Sequence, residues 1–354
     1  MFRTDLEESD YSVDLDVPHL KHMMCLNESW ENPWQLLRSA FIRELDQVSL
    51  NRYYDDVSLN LKEMLSKYAG SNVSPKQLIY GNGADEMLYF VFVAVREEKN
   101  DFALSLNPSY FDYSTYSKSI GLNIQYCDLD ENFDFDVERY VEKSKDPHCK
   151  LCILCNPNNP TGNLFDIEKI KFVLENTEKP VLLDETYFEF SKISLVDELD
   201  NYPNLIIVRS FSKAFAGAGL RFGYMISSEQ NISHLMKTRT AFHSSLLVQS
   251  FALTILKNRQ VFEVLVKKTI EEKNKIFTGL ESIEGITAHE TFTNFIPFNA
   301  GYKTVQMFEY LKSRDFALRL VGGHPSFGKH LRVTPQSPAV NVRFIEAVKS
   351  MPGR

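Results

Sequence analysis

The stretch Leu151-Cys-Ile-Leu154, followed closely by Asn156-Pro-Asn-Asn159-Pro-Thr-Gly162, is a short apolar run that leads into a tight polar loop. Such a run, bounded by turn residues, is typical of a strand buried on both faces of a sheet. Working outward in both directions, the same pattern recurs in five other runs, at residues 78–80, 102–106, 124–127, 181–183 and 205–208.

Helical patterns lie between several of these runs, for example at residues 167–175. Buried strands that alternate with helices predict an α/β fold, with a mostly parallel sheet and helices on both of its faces. After about residue 230 the pattern changes. It predicts long helices at 246–256 and 261–280, short strands at 293–297, 318–320 and 331–333, further helices at 305–312 and from about 340, and therefore a smaller α+β domain.

This change of pattern sets the expected domain limits. We expect a large domain over residues 36–255 and a small domain formed by residues 1–35 and 256–354. A chain of 354 residues is long enough for two such cores.

Composition and charge exclude some classes of function. The net charge of −8 and the pI near 5.6 argue against a general nucleic-acid binder, which needs a basic face for phosphates. The first residues lack the pattern of a signal peptide, and the longest apolar stretches, such as Leu88 to Val95, are too short to span a bilayer. We expect a cytoplasmic protein that binds neither nucleic acid nor membrane.

The five cysteines are an odd number, in a chain without a secretory signal, so we expect no disulfide bonds. The spacing of Cys152 and Cys155 matches that of a metal or redox pair. Residues three apart in a strand nevertheless point to opposite faces, which favours apolar packing over a metal site.

The run from Ser210 to Arg221, Ser-Phe-Ser-Lys-Ala-Phe-Ala-Gly-Ala-Gly-Leu-Arg, places Lys213 just beyond the end of a buried strand. An ammonium group is costly to desolvate, and one use for a buried lysine is imine formation with an aldehyde cofactor. Ser210, Ser212 and Arg221 supply groups that bind phosphate. Taken alone, the run also fits an ordinary strand-to-helix connection with a surface lysine.

Polar residues follow the other predicted strands as well. Asp184 ends one strand, where a carboxylate would keep a pyridine nitrogen protonated, and Tyr187 lies three residues further on. Asn159 stands in a loop, and Gly81-Asn-Gly83 opens a helix whose free N–H groups, at Ala84 and Asp85, would hold phosphate. Each feature alone has a simpler explanation, such as a helix cap or a turn.

The order and spacing of these features resemble the fold type I aminotransferases, which use pyridoxal 5'-phosphate (PLP), from about Asn32 to Arg332. The resemblance implies that Lys213, Asp184 and Tyr187 are catalytic, with Lys213 forming an imine with the cofactor and then shuttling a proton. It implies that the cofactor ring is held by Asp184, Asn159, Tyr187 and Tyr110. It implies that the cofactor phosphate is bound by Ala84, Asp85, Ser210, Ser212 and Arg221. It further implies a homodimer, in which Tyr53 reaches the phosphate of the neighbouring subunit.

Within that family the chain is most similar to the histidinol-phosphate aminotransferases. Arg332 matches the arginine that holds the substrate carboxylate, and Arg319 matches an additional arginine, so that two guanidinium groups would hold a phosphate dianion. The resemblance therefore implies transfer of an amino group from L-histidinol phosphate to 2-oxoglutarate. Trp30, Thr334-Pro-Gln-Ser-Pro338 and Ala241-Phe-His-Ser-Ser245 depart from the family pattern in the regions where specificity is set.

Three alternatives stay open at this point. The first is an aminotransferase for aromatic or specialised amino acids, which Trp30 and the aromatic residues between Tyr110 and Tyr116 would suit. The second is a PLP decarboxylase that acts on an amino-acid phosphate. The third is a non-catalytic protein of the same fold, against which the intact Lys213, Asp184 and Tyr187 argue.

Overall fold

The computed structural model describes residues 20–324 and 327–352, in which there are thirteen strands and twelve α-helices. The strands are β1 (His22–Met23), β2 (Leu78–Gly81), β3 (Phe102–Asn107), β4 (Asn123–Asp128), β5 (Cys149–Cys155), β6 (Val181–Asp184), β7 (Leu205–Ser210), β8 (Gly223–Ser227), β9 (Thr287–Ala288), β10 (Ile296–Asn299), β11 (Phe316–Ala317), β12 (Arg319–His324) and β13 (Gly328–Val333). The helices are α1 (Trp34–Leu45), α2 (Val57–Ala69), α3 (Gly83–Val95), α4 (Asp112–Ile120), α5 (Val137–Ser144), α6 (Ile167–Asn176), α7 (Phe188–Ser191), α8 (Glu229–Leu235), α9 (Leu246–Lys257), α10 (Arg259–Glu281), α11 (Thr304–Lys312) and α12 (Pro338–Lys349).

Seven strands form the central sheet, in the order β2-β8-β7-β6-β5-β3-β4. The neighbours from β4 to β7 pair in parallel, whereas β8 is antiparallel to both β7 and β2. All strands except β8 therefore run in one direction, and their carboxyl ends meet at one edge of the sheet. The predicted α/β fold with a mostly parallel sheet is confirmed, although β8 was not predicted.

The strand β5 shows why the sheet is buried on both faces. Cys152 and Leu154 belong to the apolar core on one face, while Leu151, Ile153 and Cys155 belong to the core on the other. Cys152 and Cys155 thus lie on opposite faces, as the two-residue period of a strand requires. All five cysteines are free and buried, and within the described residues no group of three or more His, Cys, Asp or Glu side chains could hold a metal ion.

Several helices begin at a side chain that accepts a hydrogen bond from the backbone of the first turn. Asp136, Asp166, Ser228 and Ser245 cap α5, α6, α8 and α9 in this way. These caps explain why each of these helices begins directly after a polar residue. Across the described ranges, no helix has the length and apolar character needed to cross a membrane.

A second, smaller sheet has the antiparallel order β12-β13-β10-β9, and it packs with α11 and α12 around a separate apolar core. The predicted strand at 293–297 was wrong at its start, since β10 begins at Ile296. The preceding residues instead form side-chain bonds, including one from Thr293 Oγ1 to the carbonyl of Phe295. The predicted domain limits stay a prediction, and residues 1–19 of the predicted small domain lie outside the described residues.

The long helix α10 contributes to both cores. Phe262 and Leu265, near its start, belong to a core of the large sheet, whereas Ile276 and Leu280, near its end, belong to the core of the small sheet. The helix has 23 residues and so spans about 35 Å at 1.5 Å per residue. One continuous element therefore joins the two parts of the molecule.

Candidate active site

The residues selected from the sequence follow strands that end at the same edge of the central sheet. Asp184 is the last residue of β6 and Ser210 the last of β7, while Asn159 lies four residues after β5 and Tyr110 three residues after β3. Because these strands run in parallel, the fold brings their carboxyl ends side by side, at the place where open α/β sheets bind ligands.

Lys213 follows β7 and is mostly buried at this edge. Its Nζ donates a hydrogen bond of 3.0 Å to the carbonyl of Leu26. Burial, and after it the positive charge of Arg332, lower the pKa of Lys213 from 10.5 to a net value of about 8, while Glu28 and Asp85 oppose the change. A lysine of this kind is partly neutral near physiological pH, as a nucleophilic amine requires.

Asp184 is buried, and the structure gives both of its oxygens a donor. Tyr113 donates from its hydroxyl to Oδ2 at 2.8 Å, and the Thr186 N–H donates to Oδ1 at 3.0 Å. Burial raises the pKa of Asp184. Among the described residues this carboxylate has no cationic partner, so a protonated ring nitrogen would supply the charge that it lacks.

The start of α3 and Arg221 form a cradle of hydrogen-bond donors. Arg221 Nη2 lies 2.7 Å from Asp85 Oδ2, and Arg221 adopts a left-handed backbone conformation with φ of 53°. Gly83 has φ of 87°, and a Cβ atom there would lie 2.5 Å from Arg221 Nη2. The N–H groups of the first helical turn, which include those of Ala84 and Asp85, have no acceptor within the helix and suit a phosphate.

The two serines and Tyr110 lie near this cradle. Ser210 and Ser212 are both buried, and the Ser212 N–H donates to Ser210 Oγ at 3.1 Å. Tyr110 reaches Asp85 Oδ1 with its hydroxyl at 3.4 Å, and its ring meets that of Tyr113 edge-on at 5.3 Å. Burial raises the pKa of Tyr110 well above its ordinary value, so the hydroxyl stays protonated.

The segment Cys25–Asn27, which was not predicted from the sequence, contacts three of the site residues. Arg332 donates to the carbonyl of Cys25 at 2.8 Å, and Lys213 donates to that of Leu26. Asn27 donates from Nδ2 to the Tyr187 hydroxyl oxygen at 2.8 Å. Two of the three contacts are made by backbone carbonyls, which leave no signal in residue type, and the partners are far apart in sequence.

Arg332 connects the small sheet to the loop after β5. Its Nη1 donates to Asn159 Oδ1 at 2.7 Å, so the Asn159 amide is oriented with its NH₂ group left to donate elsewhere. Arg332 is buried, and its Nε has no hydrogen-bond partner among the described residues. A buried guanidinium with an unused donor is costly unless an anion is bound.

Arg319 lies directly opposite Arg332 in the antiparallel pair β12–β13. Directly opposite side chains share a face of the sheet, and two like charges in such positions repel each other. Burial lowers the pKa of both arginines. The Arg319 guanidinium also lies 5.5 Å from the centre of the Phe111 ring. The pair thus forms a positive surface that suits an anionic substrate group.

Tyr53 is the one selected residue that lies apart from this cluster. It is 81% exposed and stacks on Phe242 with ring centres 4.8 Å apart. The prediction for Tyr53 concerns a neighbouring subunit, so a single protomer leaves it as a prediction.

The chemistry of these groups fits PLP. The cradle provides donors for a phosphate, Asp184 lacks a cation that a pyridinium would supply, and Lys213 offers an amine of lowered pKa for an aldehyde. When bound, this cofactor accepts an amino group and withdraws electrons from the substrate carbon. Fold and site together define a PLP-dependent enzyme.

Comparison with known families agrees with this class. The family described as "Aminotransferase class I and II" matches residues 24–348, and the chain belongs to that family. The protein is accordingly a PLP-dependent aminotransferase of fold type I.

The chain is also similar to individual proteins. It is 33% identical to the histidinol-phosphate aminotransferase of Caldanaerobacter subterraneus subsp. tengcongensis over 344 residues. This aligned region covers 97% of this chain and 95% of that protein. The histidinol-phosphate aminotransferase of Sinorhizobium meliloti, solved in complex with pyridoxal-5'-phosphate, shares the fold with a TM-score of 0.88 and 20% identity, over 98% of this chain and 96% of that one.

A solved decarboxylase shares the fold too. L-Threonine-O-3-phosphate decarboxylase of Porphyromonas gingivalis has a TM-score of 0.77 and 22% identity, over 93% of this chain and 98% of that one. Likeness of fold therefore does not separate transamination from decarboxylation.

Proposed function

We propose that this aminotransferase takes the amino group of L-histidinol phosphate and transfers it to 2-oxoglutarate. The observation that carries the proposal is the cross-strand pair of the buried Arg332 and the half-buried Arg319, because two guanidinium groups suit a phosphate dianion. The 33% identity to a histidinol-phosphate aminotransferase over 97% of the chain supports the same substrate.

We assign the side chains the following tasks. Arg319 and Arg332 orient the phosphate of the donor, and they serve the carboxylates of the acceptor in the second half of the cycle. Lys213, with a pKa of about 8, would take up a proton from the substrate carbon and deliver it to the cofactor carbon that is bonded to the same nitrogen. Tyr187, held by Asn27, donates to an oxygen of the cofactor ring.

The first test measures glutamate formation by the purified holoenzyme with 2-oxoglutarate and L-histidinol phosphate. Glutamate formed with this donor, and much less with unphosphorylated histidinol, supports the proposal. Glutamate formed only with aromatic amino acids supports the aromatic alternative. Release of carbon dioxide from an amino-acid phosphate, without glutamate, supports a decarboxylase.

The variant Arg319→Gln tests the role of the arginine pair. Loss of one charge-assisted contact to phosphate is worth about 1.5–3 kcal/mol, so KM for the phosphorylated donor should rise about 10- to 100-fold. KM for unphosphorylated histidinol should change little. Arg314→Gln is the matched control, because Arg314 lies on the surface over Tyr310, and equal effects of the two variants would contradict the assignment.

We also propose that the enzyme is a cytoplasmic homodimer of two-domain protomers, with the domains at 36–255 and at 1–35 with 256–354. Support for the dimer comes from exposed aromatic residues around Tyr53, which include Tyr54 and Phe242. Light scattering after size-exclusion chromatography gives the mass, and a monomer at micromolar concentration would contradict the dimer.

A further inference from the structure

The stretch Thr334-Pro-Gln-Ser-Pro338, which departs from the family pattern, holds the backbone around Asn27. The Thr334 N–H donates to the carbonyl of Met24 at 2.9 Å, and Asn294 Nδ2 donates to the carbonyl of Asn27, also at 2.9 Å. Asn27 adopts a left-handed backbone conformation with φ of 55°, which asparagine tolerates better than most residues. These contacts fix the position from which the Asn27 side chain extends.

Thr334, Asn27 and Tyr187 are three buried residues that form a hydrogen-bond relay. The Asn27 N–H donates to Thr334 Oγ1 at 3.1 Å, and the Thr334 hydroxyl donates to Asn27 Oδ1, also at 3.1 Å. Asn27 Nδ2 then donates to the Tyr187 hydroxyl oxygen at 2.8 Å. The relay thus leads from the end of the small sheet to a side chain of the active site.

The direction of the relay follows from the backbone N–H of Asn27. This group can only donate, so Thr334 Oγ1 accepts from it, and the single hydroxyl proton of Thr334 needs an acceptor of its own. Asn27 Oδ1 is the acceptor that the structure supplies. If the Asn27 amide were turned over, its NH₂ group would face Thr334, and the buried hydroxyl proton would have no acceptor among the described residues. Such an arrangement is costly, so the amide is held with its NH₂ group towards Tyr187.

The orientation of Asn27 decides what the Tyr187 hydroxyl can do. A tyrosine hydroxyl has one proton, and because its oxygen already accepts from Asn27, that proton is free to donate into the site. Burial raises the pKa of Tyr187, whereas the charge of Arg332 and the hydrogen bond from Asn27 oppose the rise, so the hydroxyl keeps its proton. A turned amide would accept that proton instead, and the Tyr187 oxygen would then face the site as an acceptor.

We propose that Thr334 is a positioning residue of this enzyme, which acts through Asn27 to set Tyr187 as a hydrogen-bond donor to the oxygen on the cofactor ring. The proposal rests on the role assigned above to Tyr187, and it does not depend on which amino donor the enzyme takes. A donor at this oxygen stabilises negative charge there, so loss of the donor favours the protonated form of the bound cofactor. A role of Thr334 in packing alone would leave that protonation unchanged.

The test follows the visible absorption band of PLP in the holoenzyme as a function of pH, because this band changes when the bound cofactor loses its proton. Tyr187→Phe removes the donor to a charged oxygen and should raise the midpoint by about one to two pH units. Thr334→Val lacks only the hydroxyl and should raise it by about 0.5–1 unit, while Thr334→Ser keeps the hydroxyl and should stay near wild type. Thr254→Val is the matched control, since the buried Thr254 hydroxyl donates within α9, and its midpoint should not move.

Two further variants separate the relay from a general effect on packing. If Thr334 acts through Tyr187, the double variant Tyr187→Phe with Thr334→Val should have the same midpoint as Tyr187→Phe alone. Asn27→Gly breaks the relay at its centre, and because glycine adopts a positive φ without strain, the backbone should keep its conformation while the midpoint rises.

The outcomes distinguish the relay from the role of Tyr187. A raised midpoint in Tyr187→Phe, with wild-type midpoints in Thr334→Val and Asn27→Gly, would overturn the relay alone. Additive shifts in the double variant would also overturn it, because Thr334 would then act by another route. A wild-type midpoint in Tyr187→Phe would overturn the role of Tyr187 and the relay with it. No substrate is added, so an error in the proposed amino donor cannot produce any of these results.

Discussion

The lowered pKa of Lys213 can be measured directly in the enzyme without cofactor. A fall from 10.5 to about 8 corresponds to about 3 kcal/mol in favour of the neutral amine. At pH 7 the neutral fraction would be about 10%, against about 0.03% for an amine of ordinary pKa, a difference of about 300-fold. Cyanate reacts only with neutral amines. Carbamylation of Lys213 should therefore rise with pH to a midpoint near 8.

The assay follows the Lys213 peptide by mass spectrometry over a range of pH, with the exposed Lys237 as an internal reference. Arg332→Gln removes a positive charge that lowers the pKa, so its midpoint should move upward, while Arg314→Gln should leave it unchanged. A wild-type midpoint near 10.5 would refute the reasoning about burial. Because the folded state disfavours the cation, Lys213 destabilises the fold below about pH 8, and this cost disappears as pH rises from 8 to 10.5.

Two further substitutions probe the cradle and the core. Gly83→Ala places a Cβ against Arg221 and should weaken PLP binding about tenfold in a fluorescence titration. Gly285→Ala is its control, because it also places a Cβ at a positive φ but contacts no neighbouring atom, and PLP binding should not change. Glu185→Gln removes the carboxylate that lies 2.9 Å from the fully buried Arg209 and leaves Glu189 as its remaining counter-charge among the described residues. The variant should lower the free energy of unfolding by about 3 kcal/mol in urea. A loss below 1 kcal/mol would show that Arg209 is compensated by other groups.

The sequence predicts the parallel core well because those strands are buried on both faces. The run Leu151 to Leu154 lies within β5, and the runs at 181–183 and 205–208 lie within β6 and β7. The strand β8 was missed. Its apolar residues follow the lysine segment after only a short turn, and its antiparallel direction follows from tertiary pairing with β2 and β7.

The roles of the site residues stay predictions, but the sequence singles out some candidates because burying their side chains carries a special energetic cost. A lysine after a buried strand and an aspartate at a strand end stand out, and the structure places Lys213 and Asp184 at one edge. Asn27 and the carbonyl of Leu26 were missed because they act over long sequence separations, 160 residues to Tyr187 and 187 to Lys213. Neither the spacing of apolar residues nor a turn motif predicts contacts between residues so far apart in the sequence.

The helix α10 has a thermodynamic consequence. Its first half is buried against the large sheet and its second half against the small one, within a single hydrogen-bonded element. If either part unfolded alone, the helix would lose the apolar contacts on half of its length. Unfolding of that half would then extend along the helix and weaken its packing in the other core. The two parts therefore share their stability, and heating should melt the chain in one cooperative transition.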